Sequence, residues 1–154
     1  MKTDSVRSKP QSLGDAAIDG LIAGLLAGVV MLVVIILGVL FGEAPAAVLE
    51  RFTTEQAITP AAGVLAHLAV SGIYGVGFSL LVYLLPSQLF NRLPGWLVGL
   101  AYGAGLLLLA QGIILNGLAS PLAELPGWLL ALGHGVYGLV LGLRVLPQPQ
   151  RAQN

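Results

Sequence analysis

Four long apolar runs dominate the chain, separated by short segments that collect nearly all the charge. They extend from Ile18 to Phe41, Ala61 to Leu85, Gly95 to Asn116 and Gly127 to Leu146. Each is near the ~20 residues that a helix needs to cross a bilayer, at 1.5 Å of rise per residue. No alternation of apolar and polar residues of the kind a barrel strand requires is present, so helix is the spanning form. The pattern predicts an all-α polytopic membrane protein, a four-helix transmembrane bundle. A polar tail over 1–17 precedes the membrane domain over 18–146, and a second tail follows over 147–154.

The run ends carry local signals. Thr59-Pro60 reads as an N-cap followed by proline at the first helical position. Leu-Pro-Gly-Trp opens both later spans, at Leu93–Trp96 and Leu125–Trp128. There proline suits a helix start and tryptophan suits the lipid–water interface. Leu84–Pro86 and Val145–Pro147 close the second and fourth spans. Asp15 and Asp19 lie at the start of the first, where a carboxylate is favoured by the helix dipole. Between the first two spans, PAAVLERF (Pro45–Phe52) is expected to form a short interfacial helix with Val48, Leu49 and Phe52 facing lipid.

Composition fixes the class. Of 154 residues, 56% are hydrophobic and 9% charged, against ~25% charged in a soluble domain. Seven basic and seven acidic residues leave no net charge, which argues against a nucleic-acid partner. There is no cysteine, hence no disulfide or thiolate chemistry. Lys2, Arg7, Lys9, Arg92, Arg144 and Arg151 fall on one side of the predicted spans and only Arg51 on the other. The positive-inside rule then puts both termini in the cytoplasm. The first span is too long for a cleavable signal peptide and is read as a retained anchor.

Glycine is placed with regularity. Gly20, Gly24 and Gly28 in span one, and Gly95, Gly99 and Gly103 in span three, each form GxxxGxxxG. Spans two and four share SGIYGVG (Ser71–Gly77) and GHGVYGLVLG (Gly133–Gly142), aligning Tyr74 with Tyr137, with Gly138 and Gly142 alongside. The chain therefore reads as two tandem hairpins, a parallel repeat. Small residues four apart let helix backbones approach closely, within the chain or against another subunit.

Polar side chains inside the spans are few. His134 lies about 10 Å below the outer end of its span, His67 about 9 Å and Gln111 about 8 Å, counting 1.5 Å per residue. Three helices thus place hydrogen-bonding groups at one depth. His67, Ser71, Tyr74 and Phe78 share a face, as do His134, Tyr137 and Gly138. The cost of polar groups in hydrocarbon should turn these faces inward.

Four roles fit. The first is interhelical hydrogen bonding within an accessory or structural subunit of a larger membrane complex or homo-oligomer. The second is a cofactor site in which His67 and His134 ligate a b-type haem or a chlorin, as neutral imidazoles can. The third is a quinone or lipid-headgroup site, with histidine and Gln111 donating to a carbonyl and Tyr74 and Tyr137 nearby. The fourth is a small-solute transport path. No nucleophile motif, phosphate loop or zinc spacing such as HExxH is present, so a non-enzymatic protein with no catalytic residues and no metal site is expected.

The segments HGVYGLVLGLRVLP and LPGWLVGLAYG carry a family likeness. The ending His-x-x-Tyr-Gly-x-x-x-Gly, His134 to Gly142, resembles that of small uncharacterised four-span bacterial membrane proteins. The resemblance implies a four-span fold and a bacterial inner-membrane location, and no activity. His67 stands seven residues before Tyr74 rather than three, a departure from that spacing.

Overall fold

The computed structural model describes residues 12–40, 45–52, 59–86, 93–115 and 125–146. Residues 1–11 of the first tail, the second tail, Phe41, Asn116 and the charged residues Glu43, Glu55, Arg92 and Glu124 lie outside them. Most of the described residues are helical, and none of them is in a strand. The helices are α1 (Leu13–Val39), α2 (Pro45–Glu50), α3 (Pro60–Leu84), α4 (Gly95–Leu109) and α5 (Gly127–Val145), and α4 continues into a π-helical turn at Ala110–Leu115. Four helices are long and apolar enough to cross a membrane: α1, α3, α4 with the start of its π turn, and α5.

Capping sets where these helices start. α1 begins at Leu13, five residues ahead of the apolar run, because Ser12 and Asp15 form a capping box. The Asp15 N–H donates to Ser12 Oγ at 3.1 Å, and the Asp15 carboxylate accepts from the Ser12 N–H at 2.9 Å. Two otherwise orphaned amides are satisfied, which extends helix into the expected polar tail. Thr59 caps α3, its hydroxyl accepting from the Ala62 N–H at 3.2 Å. At α4 and α5, Pro94 and Pro126 precede the first turn without a side-chain cap. Their carbonyls accept from Leu97 and Leu129, each at 2.9 Å.

The helices associate as two antiparallel pairs, α1 with α3 and α4 with α5, joined through a third interface between α1 and α5. Gly20, Gly24 and Gly28 are buried against α3. A methyl group on Gly24 would strike the Ser71 carbonyl and come within 2.8 Å of the Gly75 Cα. On Gly20 it would come within 2.6 Å of the Gly75 carbonyl oxygen, and on Gly28 within 2.5 Å of Ser71 Cβ. The second pair repeats the arrangement. A Cβ on Gly99 would strike the Gly138 carbonyl, one on Gly103 the His134 carbonyl, and one on Gly95 would lie 2.6 Å from the Gly142 carbonyl oxygen. In lipid, where water offers no drive to associate, such backbone-to-backbone approach maximises dispersion contact.

α2 corrects one expectation. Val48, Leu49 and Phe52 do not turn outward to lipid. Val48 is fully buried in the core, Phe52 packs against that core, and Leu49 is half-buried. The amphipathic pattern was satisfied by the bundle because Gly63 leaves room for the α2 backbone; a Cβ there would collide with the Leu49 carbonyl. The outward surface is instead lined by residues such as Leu65, Ile73, Leu108 and Trp128.

α3 and α4 close the ring least tightly, with hardly any close backbone approach between them. They meet through Tyr102. Its ring lies 4.9 Å from that of Phe78, and its hydroxyl donates to the Tyr74 carbonyl at 2.8 Å. From this contact toward the α2 end, the space between α3 and α4 is open.

Candidate functional site

That opening is a cavity of about 200 Å³. His67, Ser71 and Tyr74 of α3, Gln111 of the π turn, and His134 and Tyr137 of α5 all line it. Met31 of α1, Phe52, and Leu106, Leu107 and Leu130 complete largely apolar walls. The polar side chains at one depth in three helices thus share one space. They do not bond to one another.

His67 reaches from α3 to α1, where its Nε2–H donates to the Gly28 carbonyl at 3.0 Å. The carbonyl is within reach because Gly28 lacks a side chain, which would otherwise hold Ser71 and its helix away. Phe52 meets the His67 ring edge-on, with centroids 4.9 Å apart, so α2 roofs this histidine. His134 is turned along its own helix, its Nδ1–H donating to the Leu130 carbonyl at 2.8 Å. Tyr137, 2% exposed, donates its hydroxyl proton to the Ser71 carbonyl at 2.6 Å, tying α5 to α3. Tyr74 is half-buried and contributes its backbone carbonyl to Tyr102.

These bonds determine what the cavity presents. A carbonyl oxygen only accepts, so the bonded ring nitrogen of each histidine carries a proton. In a neutral ring the other nitrogen is then a bare acceptor: Nδ1 of His67 and Nε2 of His134. Among the described residues, no sealed side-chain nitrogen or oxygen lacks a partner, so these two nitrogens remain reachable. The Tyr137 oxygen, its proton committed to Ser71, is an acceptor as well. Gln111 supplies an amide that both donates and accepts.

At about 200 Å³ the cavity is below the ~300–1,000 Å³ typical of pockets for drug-sized ligands. Among the described residues, no three histidine or carboxylate side chains gather as a metal site would need. Two imidazoles alone fall short of the usual tetrahedral zinc set.

His67, Gln111, His134, Tyr74 and Tyr137, singled out by the sequence, line one cavity, while three features around it carry no such signal. Tyr102 joins α3 to α4 without a polar motif to mark it. Phe52 was expected in lipid. The π turn, a feature often found at functional sites, has no sequence signature here. Asp19 lies elsewhere, lining a separate hollow of about 230 Å³ with Ser79, Tyr83 and Arg144 at the opposite end.

The chain matches no protein-family model, no curated protein and no solved structure.

Proposed function

We propose that this chain is a non-enzymatic integral membrane protein that takes a small, lipid-borne ligand into the cavity between α3 and α4. The observation that carries the reading is the convergence of His67, Gln111, His134 and Tyr137 on one largely apolar space. Apolar walls with a few oriented polar groups are the usual form of a small-molecule site. The weak α3–α4 approach supplies a lateral entrance from the acyl chains. The distribution of lysine and arginine supports cytoplasmic termini, which puts the cavity in the outer half of the membrane. The likeness in His134–Gly142 supports a bacterial inner membrane.

The two helix pairs are proposed to be tandem copies, in a register other than Tyr74 on Tyr137. Gly20, Gly24 and Gly28 correspond to Gly95, Gly99 and Gly103, so the carbonyls of Gly75 and Ser71 correspond to those of Gly142 and Gly138. His67 and His134 are then equivalent positions, one per copy. The departure in tyrosine spacing therefore gives no reason to treat the histidines as unrelated.

An accessory-subunit role remains open to the leucine-rich outer surface, but it draws no support from the glycine faces, which meet inside the chain. Transport has less support: fully buried Phe78 and its neighbour Tyr102 fill the bundle between this cavity and the hollow at Asp19.

Native mass spectrometry of protein purified from its own membranes tests the ligand reading. Wild type should carry a lipophilic adduct at one per chain. Ala110→Phe, which puts a ring at the cavity wall, should lose it. Adducts limited to bulk phospholipid, and equal in both proteins, would contradict the proposal.

A further inference from the structure

We infer that the cavity selects a neutral hydroxyl donor of the hydroquinone class over the corresponding quinone, an assignment that rests on the cavity being a ligand site. His67 spends its Nε2–H on Gly28, His134 its Nδ1–H on Leu130, and Tyr137 its hydroxyl proton on Ser71. Each of these three donors is directed to a backbone carbonyl that holds it in place. These three lining residues are left with acceptors only, an imidazole nitrogen from each helix pair and a phenolic oxygen, whereas Ser71, Tyr74 and Gln111, which also line the cavity, carry donors of their own. The imidazole nitrogens and the phenolic oxygen want hydrogen bonds given to them, and a ligand hydroxyl can both donate to these and accept from the donors.

The walls narrow the class further. A cationic donor such as an ammonium ion would enter a site with no carboxylate among its described lining residues, and an unpaired charge at that depth is costly. A neutral ring bearing hydroxyl groups meets both demands. Its faces pack on Phe52, Met31 and Leu106, and its hydroxyls donate to the imidazoles. A cavity of about 200 Å³ suits one ring without its tail. The tail leaves between α3 and α4, past the small side chains of Ala66 and Ala110. The quinone form brings carbonyl oxygens, which oppose the imidazole lone pairs and find donors only in Gln111 and the Ser71 and Tyr74 hydroxyls. A site organised around a substrate hydroxyl discriminates strongly against the analogue lacking it.

Calorimetric titration of protein in nanodiscs, against empty nanodiscs, with decylubiquinol, decylubiquinone and dioctanoylglycerol tests the assignment. Decylubiquinol should bind at least tenfold more tightly than decylubiquinone and dioctanoylglycerol. His134→Leu removes an acceptor whose only hydrogen bond lies within its own helix, so the fold should persist while the preference for the reduced form falls to about twofold or less. Gln111→Leu should keep or widen it. Equal or tighter binding of the quinone to wild type, a preference untouched by His134→Leu, or tighter binding of dioctanoylglycerol would each overturn the inference. Binding of none of the three above empty nanodiscs would overturn it too, and the Ala110→Phe comparison of co-purified adducts would then decide the cavity reading separately.

Discussion

Leucine in place of Gly24 or Gly99 should separate the helix pairs, the largest effect expected from any single substitution here. At both positions the atom that a new Cβ would meet belongs to backbone: the Ser71 carbonyl for Gly24 and the Gly138 carbonyl for Gly99. Backbone cannot rotate aside as a side chain can, so relief requires moving a whole helix. Overpacking a core costs about 1–3 kcal/mol when side chains absorb it; with backbone on the other side the cost should reach that ~3 kcal/mol or exceed it. Separation also forfeits the dispersion contacts that hold helices together in lipid. Even alanine should destabilise at these positions. Gly105 and Gly135 provide the control, since nothing lies within 4 Å of a Cβ built on either. Alanine there should be neutral or stabilising by up to about 1 kcal/mol, from helix propensity alone. Unfolding the four alanine variants with SDS, followed by circular dichroism, reads the sign directly. The account fails if all four shift the same way.

Phe78→Ala should rank second. Phe78 is fully buried in α3 and its ring supports Tyr102, the residue that joins α3 to α4. Truncating a buried phenylalanine costs about 3–5 kcal/mol in a water-soluble core; in lipid the transfer from water is absent and only packing is lost, so the cost here should fall below that range. Tyr102→Phe keeps the ring contact and deletes only the hydrogen bond to the Tyr74 carbonyl. An interhelical hydrogen bond in a membrane protein averages about 0.6 kcal/mol. The phenylalanine variant should therefore lose several times more stability than the tyrosine variant in the same SDS titration. A reversal would mean that hydrogen bonds, not packing, hold this bundle.

The spans were legible because hydrophobic length is a strong signal and bilayer thickness sets it. The start of α1 was less so: Ser12 and Asp15 stand in capping spacing, yet they lie in what reads as polar tail, ahead of the apolar run. The depth of His67, Gln111 and His134 followed from counting residues along each helix. Rotation about the helix axis did not, because packing sets it, and so the carbonyl partners Gly28 and Leu130 could not be named beforehand. Glycine spacing marked the faces that meet but not which helix meets which. The outcome, α1 with α3 and α4 with α5, depends on atoms from both partners. Val48, Leu49 and Phe52 went wrong for a related reason. An apolar face identifies a preference for an apolar phase, and the pattern is the same whether lipid or protein provides it. Gly63, fifteen residues after Val48, was the residue that decided it, and nothing near α2 in sequence announces that.

Each histidine spends one N–H on a backbone carbonyl, and both rings line the cavity. Nitrogen-15 NMR of histidine-labelled protein in lipid bilayers, assigned with His67→Leu and His134→Leu, reads the tautomers directly. The account predicts opposite tautomers at neutral pH, Nε2–H for His67 and Nδ1–H for His134. The same tautomer in both rings, or two N–H protons on either ring, would contradict it.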